Sequence, residues 1–264
     1  MEKQTAERVQ LYEKVEPSGE PIPINAVPFA VPDAVPGDLK IPEAVKDGLK
    51  RGRAGGALLF KAEHIKQWLK DMEEGEKAEK EEMGDKWQAF VRPIQMVWKT
   101  GDIPRQMMWV VVVLLPKGGG NFRGIGLLEP FWKVLEIIMD RRLQVVTFRD
   151  CLHGFVKGRG YGTAGLEAKL VQQLVFIKQH SLFMIFIDLK KACDAMDRGQ
   201  CKEILVGYGI GPNMIRLIMY FWDNAVLVCR ASGRYGQVFR ANRGVTQGGP
   251  LSPKLFNIVV DAIV

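Results

Sequence analysis

Asp188 ends the apolar run LFMIFID (182–188), and the interval that follows, LKKACDAMD, adds two lysines and two further acids, Asp194 and Asp197. A carboxylate delivered at the end of such a run either caps the next turn or carries an acid to chemistry. In the second case it suits Mg²⁺, which takes one or two carboxylates together with phosphate oxygens and water. The segment alone admits both readings; Asp197 reads as a helix-start acid. The stretch GVTQGGPLSPKLFN (244–257) places two adjacent glycines, which let backbone approach a ligand closely, ahead of Ser252 and Pro253. Those two residues are expected as an N-cap and a first helical position. The cap accounts for them, so functional weight falls on Thr246, Gln247, Gly248 and Gly249. A third group is Lys117 and Arg123, six residues apart across Gly-Gly-Gly. Two cations closing over a triphosphate would neutralise charge that moves during phosphoryl transfer, although surface hairpins also carry such cations for solubility.

These groups need elements to position them. MMWVVVVLL (107–115) is short, β-branched and stopped by Pro116, as a buried strand is. With the returning FRGIGLL it predicts a hairpin that puts Lys117 at the loop and Arg123 on the second strand. Residues 182–188 read as a strand buried on both faces. Helices are expected at about 57–71, 86–100, 129–148, 163–180, 198–208 and 212–224 and from Ser252 onward, with a hairpin between 226 and 243. Strands grouped by hairpins among helices predict an α+β class.

Residues 1–48 hold seven of the fourteen prolines and three Ala-Val-Pro triplets at four-residue spacing, which predicts an extended, flexible, disordered Pro-rich arm. Residues 49–97 read as a helical extension containing an acidic run, 71–85, with eight acids and two lysines. The net charge of +7 therefore leaves +13 on the rest of the chain, a balance that suits a polyanionic partner such as nucleic acid. The four cysteines form no CxxC pair and the three histidines are scattered, so no zinc site or disulfide framework is expected. The N-terminus lacks an apolar signal core and the longest apolar run is half a membrane span. The expectation is an intracellular protein with no membrane association, without a choice between nucleus and cytoplasm.

TGDIPRQMMWVVVVLLPKGGGNFRGIGLLEPFWKVLEIIMDRRL resembles the first fingers motif of reverse transcriptases, and LHGFVKGRGYGTA resembles their GF-x-x-GR-x-x-x-x-A segment. FIDLKKACD is similar to the metal-binding palm motif F-x-D-L-x-K-A-(F/Y)-D. RGVTQGGPLSPKLFNIVVDAIV is similar to the R-G-V-x-Q-G-x-P-L-S-P-x-L-F-N motif of non-LTR elements. The resemblance covers about residues 98–264, with the four motifs in family order. A weaker one, at 48–69, is to the pre-fingers segment. The Q-G-G-P-L-S-P and K-A-C-D wording argues against a viral RNA-directed RNA polymerase.

The resemblance implies the fingers and partial palm of an RNA-directed DNA polymerase acting on an RNA template, a DNA primer and deoxynucleoside triphosphates. It makes Asp188 the first catalytic aspartate, binding Mg²⁺ or Mn²⁺ with the Leu189 backbone carbonyl. Lys117 and Arg123 would grip the triphosphate, and Cys193, Gln247 and Gly248 would line the nucleotide pocket. Asp194 matches a family position and reads as structural. Two departures stand out. Family members carry Phe or Tyr at the position of Cys193, where the ring blocks a ribose 2′-hydroxyl. The sequence also contains no aromatic-x-Asp-Asp tetrapeptide and no thumb, so the expectation is a truncated chain, inactive alone; the alternative is a non-catalytic nucleic-acid-binding remnant.

Overall fold

In a computed structural model the described residues are 29–36, 40–50, 56–57, 61–74, 77–231 and 233–264. Residues 1–28, where most of the arm was expected, lie outside them. The class is α+β, and among the described residues four strands form one sheet of order β2-β1-β3-β4. β1 (Trp109–Gly118) pairs antiparallel with β2 (Asn121–Leu128), Val110 facing Leu128. It pairs in parallel with β3 (Val226–Ala231), which forms a hairpin with β4 (Arg234–Phe239). The parallel pairing ends at Val113, so Pro116, which has no amide to donate, lies on a stretch of β1 paired to β2 alone.

The longer helices among the described residues are α1 (Ala62–Glu74), α2 (Lys77–Thr100), α3 (Pro130–Arg142), α4 (Tyr161–Ile177), α5 (Arg198–Gly207), α6 (Pro212–Asn224) and α7 (Ser252–Ile263). The acidic run is helical where described, forming the end of α1 and the start of α2. α2 stops as the sequence predicts: Gly101 takes φ +83°, and the Arg216 guanidinium donates to the carbonyls of Thr100 (2.7 Å) and Trp98 (3.1 Å). The core lies where α3 meets α2 and α6, with Trp132 stacked on Phe221 at 4.0 Å and Phe90 tilted against Phe131 at 4.6 Å.

Two expectations change. Residues 182–188 form no strand; Phe183, Ile185, Phe186 and Ile187 are 83–91% exposed. Apolar composition supplies the demand for burial but not a pairing partner, and among the described strands none pairs with this segment. The preceding helix α4 does not cover it either, since no α4 residue is buried.

The second change is the boundary of the Pro-rich arm. Residues 29–36, inside the stretch read as arm, run across the body as a strap, and Ile41, Ala44, Val45 and Leu49 beyond it are buried. The Phe29 N–H donates to the Tyr208 carbonyl at 2.8 Å, and its ring stacks on Tyr208. Arg142 donates to the Pro32 carbonyl (3.2 Å), and the Trp98 indole to that of Asp33 (3.1 Å). α6 begins at Gly211-Pro212, with no side chain to cap its amides. Asp33 does this from 180 residues upstream, accepting from the N–H groups of Asn213 (2.9 Å) and Met214 (3.0 Å). A Cβ on Gly211 would collide with the Asp33 side chain, so the glycine makes the cap possible.

Asp33→Ala is expected to lower stability by about 1–2 kcal/mol, as loss of a helix cap does, and Asp33→Asn by less because one acceptor survives. Urea unfolding midpoints measure this; an unchanged midpoint for Asp33→Ala would show that the strap does not cap α6.

Candidate functional site

The hairpin turn is Gly119 and Gly120, next to Gly118 at the end of β1; Gly118, Gly119 and Gly120 all take positive φ (87°, 58° and 75°), which lets the chain reverse just beyond Lys117. Lys117 and Arg123 are both exposed, and Arg123 pairs across the ladder with Leu115. The sequence placed both correctly.

Three residues further along β2, Gly126 meets the 244–251 loop. Its N–H donates to the Gln247 carbonyl at 2.5 Å. Gly248, at φ +113°, lies so close that a Cβ would come 2.5 Å from the Gly126 carbonyl oxygen, while a Cβ on Gly126 would strike Thr246 and Val110 at 2.9 Å. The loop docks on the sheet backbone to backbone, which side chains at either position would prevent. Ser252 is not the N-cap expected of it. It is the first residue of α7, and its hydroxyl donates back to the Thr246 carbonyl at 2.7 Å, tightening the turn.

The third piece is the turn after Asp188. Cys193 and Met196 accept through their carbonyls from the N–H groups of Val245 (3.0 Å) and Gly244 (2.8 Å). Gly244, at φ +78°, has the Asp194 backbone where a Cβ would stand. The Gln247 amide donates to the Asp194 carboxylate at 2.5 Å, which gives Asp194 the structural role expected of it. Burial pushes the Cys193 thiol up, the Asp194 charge adds to this, and Arg123 opposes it, which sets the hairpin cation within electrostatic reach of Cys193. Arg123, Cys193, Gln247 and Gly248 therefore share one region.

Asp188 and Leu189 do not join it by any described contact. Leu189 is 62% exposed, and no hydrogen bond or ion pair ties Asp188 to the Arg123–Gln247 cluster among the described residues. Among the same residues, no group of three or more His, Cys, Asp or Glu could hold a metal ion. The oxygen donors of Asp188 and Leu189 are of the kind Mg²⁺ prefers, and would supply only part of a coordination sphere. Lys117 likewise stands apart at the exposed hairpin tip.

Two residues that shape the site escaped the sequence reading. Arg198, buried at the start of α5, donates to the carbonyls of Trp222 (2.7 Å), Ala241 (2.6 Å) and Gly244 (3.3 Å), fixing the chain that enters the loop. Its signal was present: Arg198, Cys201 and Leu205 recur on one helical face, and the latter two are core residues. Asp197 caps α5 as predicted, accepting from the Gln200 N–H at 2.9 Å. Glu136 of α3 is 5% exposed and accepts from the Trp132 indole at 2.8 Å and the Leu251 N–H at 3.4 Å. The GF-x-x-GR segment is also ordered. Arg159 donates to the Arg149 carbonyl (2.7 Å) and to Asp150 (2.6 Å), while Asn257 of α7 donates to the Gly154 carbonyl (2.7 Å).

A family profile described as "Reverse transcriptase (RNA-dependent DNA polymerase)" matches residues 115–264. The chain is 27% identical over 177 residues to the "Retrovirus-related Pol polyprotein from type-1 retrotransposable element R2" of Nasonia vitripennis, covering 64% of this chain and 17% of that protein. It is 24% identical over 184 residues to the "Transposon TX1 uncharacterized 149 kDa protein" of Xenopus laevis, covering 65% and 14%. It is 23% identical over 181 residues to the "Retrovirus-related Pol polyprotein from type-2 retrotransposable element R2DM" of Drosophila melanogaster, covering 66% and 17%. The chain thus spans 14–17% of the length of these relatives. With the profile covering more than half of its residues and the Nasonia and Drosophila relatives being retroelement polyproteins, the chain belongs to the reverse transcriptase family, of the non-LTR retroelement kind.

Proposed function

We propose that this region forms the nucleotide and template pocket of an RNA-directed DNA polymerase, which joins deoxynucleoside triphosphates to a primer 3′-hydroxyl. The observation that carries the reading is the convergence of Arg123, Cys193 and Gln247 around the Gly126–Gly248 backbone contact. Arg123 and Lys117 offer cationic donors to phosphate oxygens and neutralise the charge gathered on the leaving diphosphate. The Gly126–Gly248 approach fixes the Gln247 loop against the hairpin that carries Arg123. Asp188 and the Leu189 carbonyl would hold Mg²⁺ or Mn²⁺, and a pair of such ions would stabilise the attacking and leaving oxygens. The excess of positive charge outside residues 71–85 would follow template and primer phosphates. The printed names of the relatives, retroelement Pol polyproteins, support the same reading.

A second reading is favoured by one observation: among the described residues, no group of three or more His, Cys, Asp or Glu could hold a metal ion. This region would then bind nucleic acid and nucleotide without extending a primer.

Three measurements follow. Arg123→Ala is expected to weaken binding of a deoxynucleoside triphosphate roughly tenfold, the loss of about one charge-assisted hydrogen bond, and unchanged affinity would remove Arg123 from the site. The purified chain should bind single-stranded RNA with log affinity falling against log salt by about 0.7 per phosphate contacted, and should give no primer extension. Salt-independent binding or extension by the chain alone would contradict this. In an active polymerase carrying these residues, Cys193→Phe should raise the preference for deoxyribonucleotides over ribonucleotides, because the ring fills space a thiol leaves open. An unmoved ratio would exclude Cys193 from sugar selection.

A further inference from the structure

We infer that Glu136 is a positioning residue: its buried carboxylate clasps the far half of the 246–251 loop when ionised and releases it on taking up a proton, so the loop that carries Gln247 and Gly248 is pH-sensitive. This rests on the reading of that loop as the wall of the nucleotide pocket.

The first half of the loop is held by the Gly126 N–H on the Gln247 carbonyl and the Ser252 hydroxyl on the Thr246 carbonyl. The second half meets Glu136. One carboxylate oxygen, Oε1, accepts from the Trp132 indole at 2.8 Å. That indole is itself held flat on Phe221, 5° from parallel, so the carboxylate has a fixed orientation. The other oxygen, Oε2, faces the Leu251 N–H at 3.4 Å and lies where a Cβ on Gly249 would stand. A glycine at 249 is thus what admits the carboxylate to the loop backbone. Leu251 immediately precedes α7, so the charge also sits at a helix N-terminus, where it is favoured.

Both hydrogen bonds need an accepting oxygen. A carboxylate offers two strong ones, whereas a protonated carboxyl keeps one; the proton goes to Oε2, whose bond is the longer, and leaves a hydroxyl oxygen that accepts only weakly from the Leu251 N–H. Burial raises the Glu136 pKa to about 7, with the Trp132 and Leu251 hydrogen bonds and Lys133 opposing the rise and Asp140 adding to it. Residues 246–251 contain no ionisable side chain, and Lys254 of α7 acts on Asp140. The change between clasped and released forms therefore falls near neutral pH. Glu136→Gln keeps the shape and an acceptor for Trp132 but presents an amide donor to Leu251 at every pH.

The test is hydrogen exchange of the 246–251 amides in the whole chain, corrected for intrinsic rates, with α6 as the internal reference and deoxynucleoside triphosphate affinity measured in parallel. The parent loop is expected to be about tenfold better protected at about pH 8 than at about pH 6. Glu136→Gln should resemble the low-pH parent at both, with α6 unchanged and with only the pH dependence of nucleotide affinity that the triphosphate's own terminal phosphate supplies. Equal protection of the parent loop at both pH values, or a pH dependence surviving in Glu136→Gln, overturns the proposal. If Glu136→Gln also loses protection in α6, the variant has unfolded and the parent series alone decides. Loop protection that follows pH while no nucleotide binds at either value sustains the clasp and rejects the pocket reading.

Discussion

The site depends on one close approach of backbone to backbone. Gly126 on β2 and Gly248, more than a hundred residues later, come together so closely that neither position has room for a Cβ. The contact brings a hairpin with a basic tip and a glycine-rich loop into one place, and the rest of the described structure supports it from different sides. Parallel pairing of β1 with β3 carries the chain back to the hairpin, and the Gln247–Asp194 bond draws in the turn after Asp188. Because a Cβ on either glycine would have to displace backbone or packed side chains, this contact is intolerant in a way that surface ion pairs are not.

Around it, buried polar groups do what apolar packing cannot, which is to specify where a loop without regular structure must lie. Arg198 satisfies carbonyls at the end of α6 and beyond β4, regions whose backbone groups have no strand partner there. Tyr208 donates to Asp261 at 2.6 Å, and Asp261 accepts from the Arg149 N–H at 3.0 Å, tying the end of α5 and the chain ahead of the GF-x-x-GR segment to α7. Each of these groups would be costly to bury unpaired, so each fixes a geometry as well as contributing to stability.

Local chemistry made much of this legible in the sequence. α6 follows from Gly211-Pro212 at its start, the β1–β2 hairpin from its β-branched run and three glycines, and the loop before α7 from Gly248-Gly249. What could not be read depends on partners remote in sequence. LFMIFI reads as a buried strand by composition, yet burial requires a neighbour, and among the described strands it has none. The proline-rich stretch reads as unpacked by local rules, while Asp33 within it finds two uncapped amides 180 residues away. Glu136 occupied a helix turn that any solvated acid might have held, and only the fold shows it under the loop. Asp188 was the most conspicuous residue in the sequence and is among the least constrained in the structure.

The central claim is that Arg123, Cys193 and the Gln247–Gly248 loop form one surface facing a nucleotide. Photocrosslinking a deoxynucleoside triphosphate with a light-activated base to the whole chain, then mapping the labelled peptides, tests it most directly. The account predicts label on peptides containing residues 117–126, 193 and 244–251, displaced by unmodified triphosphate. Label confined to α4 or to α1 and α2, or label that triphosphate does not displace, would contradict it.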